Sequence, residues 1–260
     1  MSSNAHVPVL LGPVLEGLKI KPGGCYVDGT FGRGGHSREI LKQLGNDGRL
    51  IAIDRDPQAI ASVSTSLTED PRFELVKGEI AQMETIIGER NLVENVDGIL
   101  FDLGVSSPQL DEADRGFSFM RDGPLDMRMD PDSGTSASDW LAAVEERKLK
   151  QVLRKYGEEN NAGRIARAIV AARTESPITR TAQLAHIVEV AAPKRGQKIH
   201  PATKTFQAIR IAINGELEQL EAALEQSVKV MKKGARLCVI SFHSLEDRIV
   251  KRFMRDASRE

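Results

Sequence analysis

Through the first hundred residues, short apolar runs alternate with stretches of helical periodicity. Cys25–Asp28, Arg49–Asp54, Phe73–Lys77 and Gly98–Asp102 read as strands. Between them, His36–Leu44 (closed by Gly45), Pro57–Ser66 and about Gln82 to Arg90 read as helices, with Pro57 in a first turn where proline is tolerated. Strand and helix in strict alternation are the mark of βαβ units around a parallel sheet. The rhythm then changes. Residues 103–134 are rich in Gly, Pro, Asp and Ser and show no period, and a loop that long inside a compact domain usually has a function. Helical patterns without a strand follow: Ser138–Glu145, Lys148–Tyr156, Gly163–Arg173, Thr181–Ala191 and one starting near Pro201, punctuated by Gly157, Pro177 and Pro193. A helix from about Glu216 to Met231 then leads to a fifth strand, Arg236–Ser241, and a last helix, Leu245–Met254.

The pattern predicts a doubly wound, mainly parallel α/β sheet of Rossmann-like type. Its expected domain is formed by residues 1–133 and 214–260, with a helical insert over 134–213. The net charge of −1 hides an asymmetry: between Ser136 and Ile213 there are 14 Lys and Arg against 7 Asp and Glu, and elsewhere 22 against 30. A basic segment in an otherwise acidic chain points to a polyanionic partner. Arg164, Arg167 and Arg173 share or neighbour one helical face and are the first candidates to grip phosphates, followed by Lys194, Arg195, Lys198 and Lys204. Cys25 and Cys238 fall in strand-like runs without metal-ligand spacing, as expected of free thiols in a reducing compartment. No apolar run approaches the ~20 residues of a membrane span and no signal peptide is evident, so a cytoplasmic protein is expected.

The candidate chemistry begins at Asp28-Gly29-Thr30-Phe31-Gly32-Arg33-Gly34-Gly35-His36, which joins a strand to a helix. Gly32, Gly34 and Gly35 allow a ligand to approach the backbone closely. Asp54 ends the next strand, where a carboxylate can accept ribose hydroxyls. A nicotinamide dinucleotide fits poorly. Ser37 stands where the third glycine of its fingerprint would be, and Asp28 would repel a pyrophosphate. S-adenosylmethionine carries an ammonium and a sulfonium, which a carboxylate attracts. After the fourth strand comes Asp102-Leu103-Gly104-Val105-Ser106-Ser107-Pro108-Gln109, at the crevice where such folds bind ligands. Ser106-Ser107-Pro108 is a relative of the motif with which methyltransferases hold an exocyclic amine, and Ser106 and Pro108 are candidates for that task. Asp102 is the candidate to stabilise positive charge developing on the amine. The aromatic expected after the proline is absent, leaving Phe117 or Phe119 to stack on a base. His243 is a candidate proton acceptor, and no metal site is indicated.

Across these motifs the chain closely resembles the MraW/RsmH family of class I methyltransferases. The resemblance runs from His6 onward and includes Ala52-Ile53-Asp54-Arg55-Asp56, Arg115-Gly116-Phe117-Ser118-Phe119, Gly123-Pro124-Leu125-Asp126-Met127-Arg128-Met129, His200-Pro201-Ala202-Thr203 and Ser241-Phe242-His243-Ser244-Leu245-Glu246-Asp247-Arg248. It implies methyl transfer from S-adenosylmethionine to N4 of a cytidine in the decoding region of 16S rRNA, in the small ribosomal subunit. It also implies donor contacts from Gly34, Gly35, His36, Asp54, Asp102 and Gln109. A further contact falls on Ile80, where some members carry phenylalanine. Such sheets normally end in an antiparallel hairpin, which this chain lacks, so a shortened form is expected. The other reading is an RNA-binding assembly factor with a vestigial donor site. A homodimer is left open.

Overall fold

The computed structural model describes residues 8–193 and 199–259. In chain order the elements are α1 (Leu11–Leu18), β1 (Cys25–Asp28), α2 (Gly35–Gln43), β2 (Arg49–Asp54), α3 (Pro57–Ala61), α4 (Thr65–Thr68), β3 (Phe73–Lys77), α5 (Met83–Gly88), β4 (Val96–Asp102) and α6 (Ser107–Asp111). Then follow α7 (Ala137–Ala143), α8 (Glu146–Tyr156), α9 (Ala162–Glu175), α10 (Thr181–Ala191), α11 (Ala202–Asn214), α12 (Glu216–Val230), β5 (Met231–Ile240) and α13 (Ser244–Ala257). No helix of the described residues is long and apolar enough to cross a membrane.

The chain divides into two compact units, residues 1–104 with 217–260, and residues 105–216. The first is a five-stranded, all-parallel sheet in the order β3-β2-β1-β4-β5, the class I methyltransferase arrangement. Its strands bury both faces by strict alternation. Val27, Ile51, Ile53, Ile99 and Phe101 point into one core with Met83, Leu220 and Leu224; Tyr26, Leu50, Ala52 and Leu100 point into the other with Val14, Leu18, Ile40 and Leu41. The strand order reverses between β1 and β4, where the register sets Asp28 opposite Leu100. Asp102 therefore reaches two residues further toward the carboxyl edge, the position at which such sheets take ligands. At the amino edge, the buried carboxylate of Asp97 accepts the Cys25 N–H and pairs with Lys21 and Lys232, pinning the start of β1. Cys25 and Cys238 are half-buried free thiols, and burial pushes Cys25 up to about 11.

The second unit begins at Val105, earlier than the boundary at 134 expected from helical pattern alone. The aperiodic loop belongs with the helices because it supplies their core: Phe117, Leu125 and Met127 are buried with Leu141, Leu149, Leu153, Ile165 and Ile169. Asn214 at the end of α11 ties it down, accepting from the Met129 N–H and donating to the Met127 carbonyl. Asp126 and Arg128, which alternate with Asp130 in the sequence, form a two-bond ion pair of 2.8 and 2.7 Å.

Candidate active site

The glycine-rich loop is built from the end of β1. Asp28 is only 1% exposed, and both its oxygens serve the loop: Oδ2 accepts from the Ser37 hydroxyl at 2.6 Å and Oδ1 from the Thr30 N–H at 3.2 Å. Burial holds its pKa above the usual carboxylate range, against the lowering effect of the Ser37 bond and of His36 nearby. Ser37 thus stands at a position where a dinucleotide fold needs glycine, because here a hydroxyl must reach a buried carboxylate. Gly34, at φ +69°, packs its Cα against the Phe31 ring, which a Cβ would strike at 2.7 Å. Pro8 closes on Gly35 in the same way, at 2.6 Å. Gly32 turns its N–H to Asp54 Oδ2 at 2.7 Å, while Oδ1 accepts from Asp56 N–H at 2.9 Å. Burial raises Asp54 as well. Each of its oxygens keeps a lone pair beyond these single bonds, enough for a diol.

Asp102 stands across the switch point. Its backbone N–H donates to Thr30 Oγ1 at 2.6 Å, which locks the end of β4 to the loop after β1. Its Oδ2 lies 3.6 Å from His36 Nδ1, and His36 Nε2 is 3.0 Å from the Val9 carbonyl. Its Oδ1 is buried and has no hydrogen-bond partner among the described residues. Burial pushes Asp102 up to about 6; His36 opposes the rise, and Asp28 and Glu246 add to it. A carboxylate at the edge of a crevice with an unused acceptor is suited to an N–H or a cationic group of a ligand.

Ile80, in a 3₁₀ turn after β3, packs against the core, with its Cγ2 3.4 Å from where a Cβ on Gly29 would lie. His243 caps α13: its Nδ1 accepts from the Glu246 N–H at 3.4 Å, and its Nε2 lies 3.1 Å from Glu246 Oε1. Burial pushes Glu246 up, but the bonds from His243 and two backbone N–H groups outweigh it and leave it below its usual range. Glu246 escaped the sequence reading, although the His243-Ser244-Leu245-Glu246 spacing is that of a capping box. Phe242, between the cap and β5, is 56% exposed and lies against Gly104, where a Cβ would meet its ring at 3.4 Å.

Other expected residues lie in the second unit. Ser106 and Gln109 form the capping box of α6, with Gln109 Oε1 accepting from the Ser106 N–H at 2.9 Å, and Pro108 sits in its first turn. Phe117 is buried, with the Arg115 guanidinium 5.6 Å from its ring centre, and Phe119 packs on His200 and Phe206. Phe117 belongs to the core of this unit, and Phe119 is partly buried against it. Arg164 and Arg167 are exposed on α9. Arg167 also donates to the Gly163 carbonyl of its own helix, Arg173 to the Leu141 and Val144 carbonyls, and Lys204 to the Glu158 carbonyl. Lys194, Arg195 and Lys198 lie outside the described residues.

Three solved structures are similar over part of the chain. One, described as a candidate rRNA-methylase from Clostridium thermocellum, is 26% identical over 38% of this chain and 53% of its own, with a TM-score of 0.32. An rRNA methylase from Streptococcus thermophilus is 19% identical over 39% and 58%, at 0.30. A SAM-dependent methyltransferase from Aquifex aeolicus is 17% identical over 56% and 78%, at 0.30. The chain thus spans little more than half the length of the first two. The family model of the MraW methylases matches residues 3–260. S-adenosylmethionine is the donor this match implies, and Asp54, the glycine loop and the unpartnered Asp102 oxygen fit it. The chain belongs to the MraW methylase family.

Proposed function

We propose that this protein methylates N4 of a cytidine in the decoding region of 16S rRNA, acting on the small ribosomal subunit in the cytoplasm. The observation that carries the reading is Asp102, whose buried Oδ1 lacks a partner at the switch point beside the glycine loop. S-adenosylmethionine supplies an electrophilic methyl group. Asp54 accepts its ribose hydroxyls, while Gly32, Gly34 and Gly35 leave room along the loop. Asp28 acts through the loop it braces. The resemblance adds donor contacts from His36 and Ile80, and Gln109 follows in the segment after β4.

A cytosine amine is a poor nucleophile because its lone pair is delocalised into the ring. Ionised Asp102 accepts an N–H bond and stabilises the positive charge that grows on nitrogen during transfer. Ser106 and Pro108, following in the chain, help hold the amine, and Phe242 offers a ring face to the base. The target nucleotide must be unstacked to react, so phosphate contacts elsewhere must offset that cost. Arg164 and Arg167 are suited to make them. Tritiated methyl transfer to isolated small subunits, followed by nucleoside mass analysis, tests the reading. It predicts N4-methylcytidine; tight RNA binding with no transfer would favour an assembly factor instead.

A further inference from the structure

We infer that the exposed face of α8 is a binding groove for single-stranded RNA, holding phosphates along one ridge and an unstacked base on its floor. The inference rests on the proposed RNA substrate and adds a site to it. Arg147, Lys148, Lys150, Arg154 and Lys155 are all exposed. Arg147 and Arg154 are seven residues apart, as are Lys148 and Lys155, so the four form two cationic pairs on one side of the helix. Several surface lysines elsewhere are paired locally: Lys42 with Glu39, Lys229 with Glu84 and Lys251 with Asp247. Arg147, Lys148, Lys150 and Arg154 make no ion pair among the described residues.

Helix stability accounts for only two of these five charges. Arg154 and Lys155 in the last turn complement the helix dipole, but Arg147 and Lys148 lie in the first turn, where positive charge is unfavourable. A surface groove of about 400 Å³ runs beside them, lined by Lys148, Gln151, Val152, Arg154, Lys155 and Tyr156. The Lys155 ammonium sits 5.0 Å from the Tyr156 ring centre. Cations along a rim over an apolar and aromatic floor suit a nucleotide, whose phosphate and base need one of each. An acidic peptide would use the rim and leave the floor empty. The patch continues onto α9: Lys150 lies over Gly163, with its Nζ 3.9 Å from where a Cβ would stand, and Gly163 precedes Arg164 and Arg167.

The test is fluorescence anisotropy of labelled oligocytidine across a salt series, using the full chain. The triple variant Arg147→Ala, Lys148→Ala, Arg154→Ala should bind at least tenfold more weakly, with a log–log salt slope shallower by about two, as loss of three single-strand phosphate contacts requires. Tyr156→Leu, which keeps apolar bulk, should weaken binding with the slope unchanged. The control Lys42→Ala, Lys251→Ala should bind as wild type. Donor affinity and thermal midpoint should hold in the triple variant. Equal binding by wild type and triple variant overturns the groove, and so does a loss of salt slope with no effect of Tyr156→Leu. Wild-type binding through the groove without methyl transfer to small subunits retains it and removes the proposed chemistry.

Discussion

The Ser37 hydroxyl donates to Asp28 Oδ2 across 2.6 Å, joining the last residue of β1 to the first turn of α2 beneath the glycine loop. Both residues are buried, so the bond has no water to replace it. Ser37→Ala removes one of two donors to a buried carboxylate, which should cost about 1–3 kcal/mol. Urea unfolding measures this. Unchanged stability would mean that Asp28 is held by other contacts and that Ser37 stands there for its size alone.

Asp54 has two duties that one substitution separates. Alanine removes both the proposed acceptor for the donor's ribose and the acceptor of the Gly32 N–H at 2.7 Å. Donor affinity should fall by roughly 1–3 kcal/mol in Asp54→Ala. Asp54→Asn keeps one oxygen for the loop and should recover part of that loss. Calorimetry with S-adenosylmethionine reads both; full affinity in the alanine variant would take Asp54 out of the donor site.

The strands up to Asp102 were legible because each is a short, largely apolar run that ends in an acid or is followed by glycine. Elsewhere local signals misled. Gly12, Pro13 and Gly17 disguise α1, although Pro13 lies in its first turn, where no N–H bond is lost. Pro57–Ser66 reads as one helix but is two, because Ser64 adopts extended backbone and starts α4 afresh. The fifth strand reads as starting at Arg236, yet β5 already pairs Met231 with Val96 and absorbs the extra residues in an irregular register. At the site, the acids at strand ends could be found by position. Their partners could not: Thr30 reaches Asp102 from 72 residues away, and that pairing exists only once β1 and β4 are neighbours.

Asp102 should show a conflict between stability and function. Folding raises its pKa from 3.8 to about 6, so the folded chain holds this proton more tightly than the unfolded chain. The group's contribution to stability is therefore complete below 3.8 and is lost as pH rises through about 6. Asp102→Asn removes a charge that is costly at neutral pH. With allowance for its partly exposed side chain, stability should rise by about 1 kcal/mol at pH 7. Turnover should collapse by more than donor affinity, because the charge it opposes exists only during transfer. Wild-type turnover should climb through about pH 6 as the carboxylate ionises. Proportional loss of turnover and donor affinity in the variant would make Asp102 a donor contact only.

His243 offers the sharpest choice between a structural and a chemical role. Its two ring nitrogens face one residue, Glu246, through the N–H at 3.4 Å and the carboxylate at 3.1 Å. A histidine so engaged can take a proton from substrate only by giving up the cap of α13. The Nδ1 bond gives it a role at the helix start, and two variants separate that role from proton transfer. His243→Ala should cost about 1 kcal/mol, the usual loss of an N-cap, whereas asparagine is itself a good cap and should restore most of it. Methyl transfer should follow the same order, reduced in the alanine variant and near wild type in His243→Asn. Asparagine cannot accept a proton at neutral pH. If His243→Asn folds with full stability and binds donor but turns over more than a hundredfold more slowly, His243 is the proton acceptor, and the cap bond from the Glu246 N–H must open during the reaction.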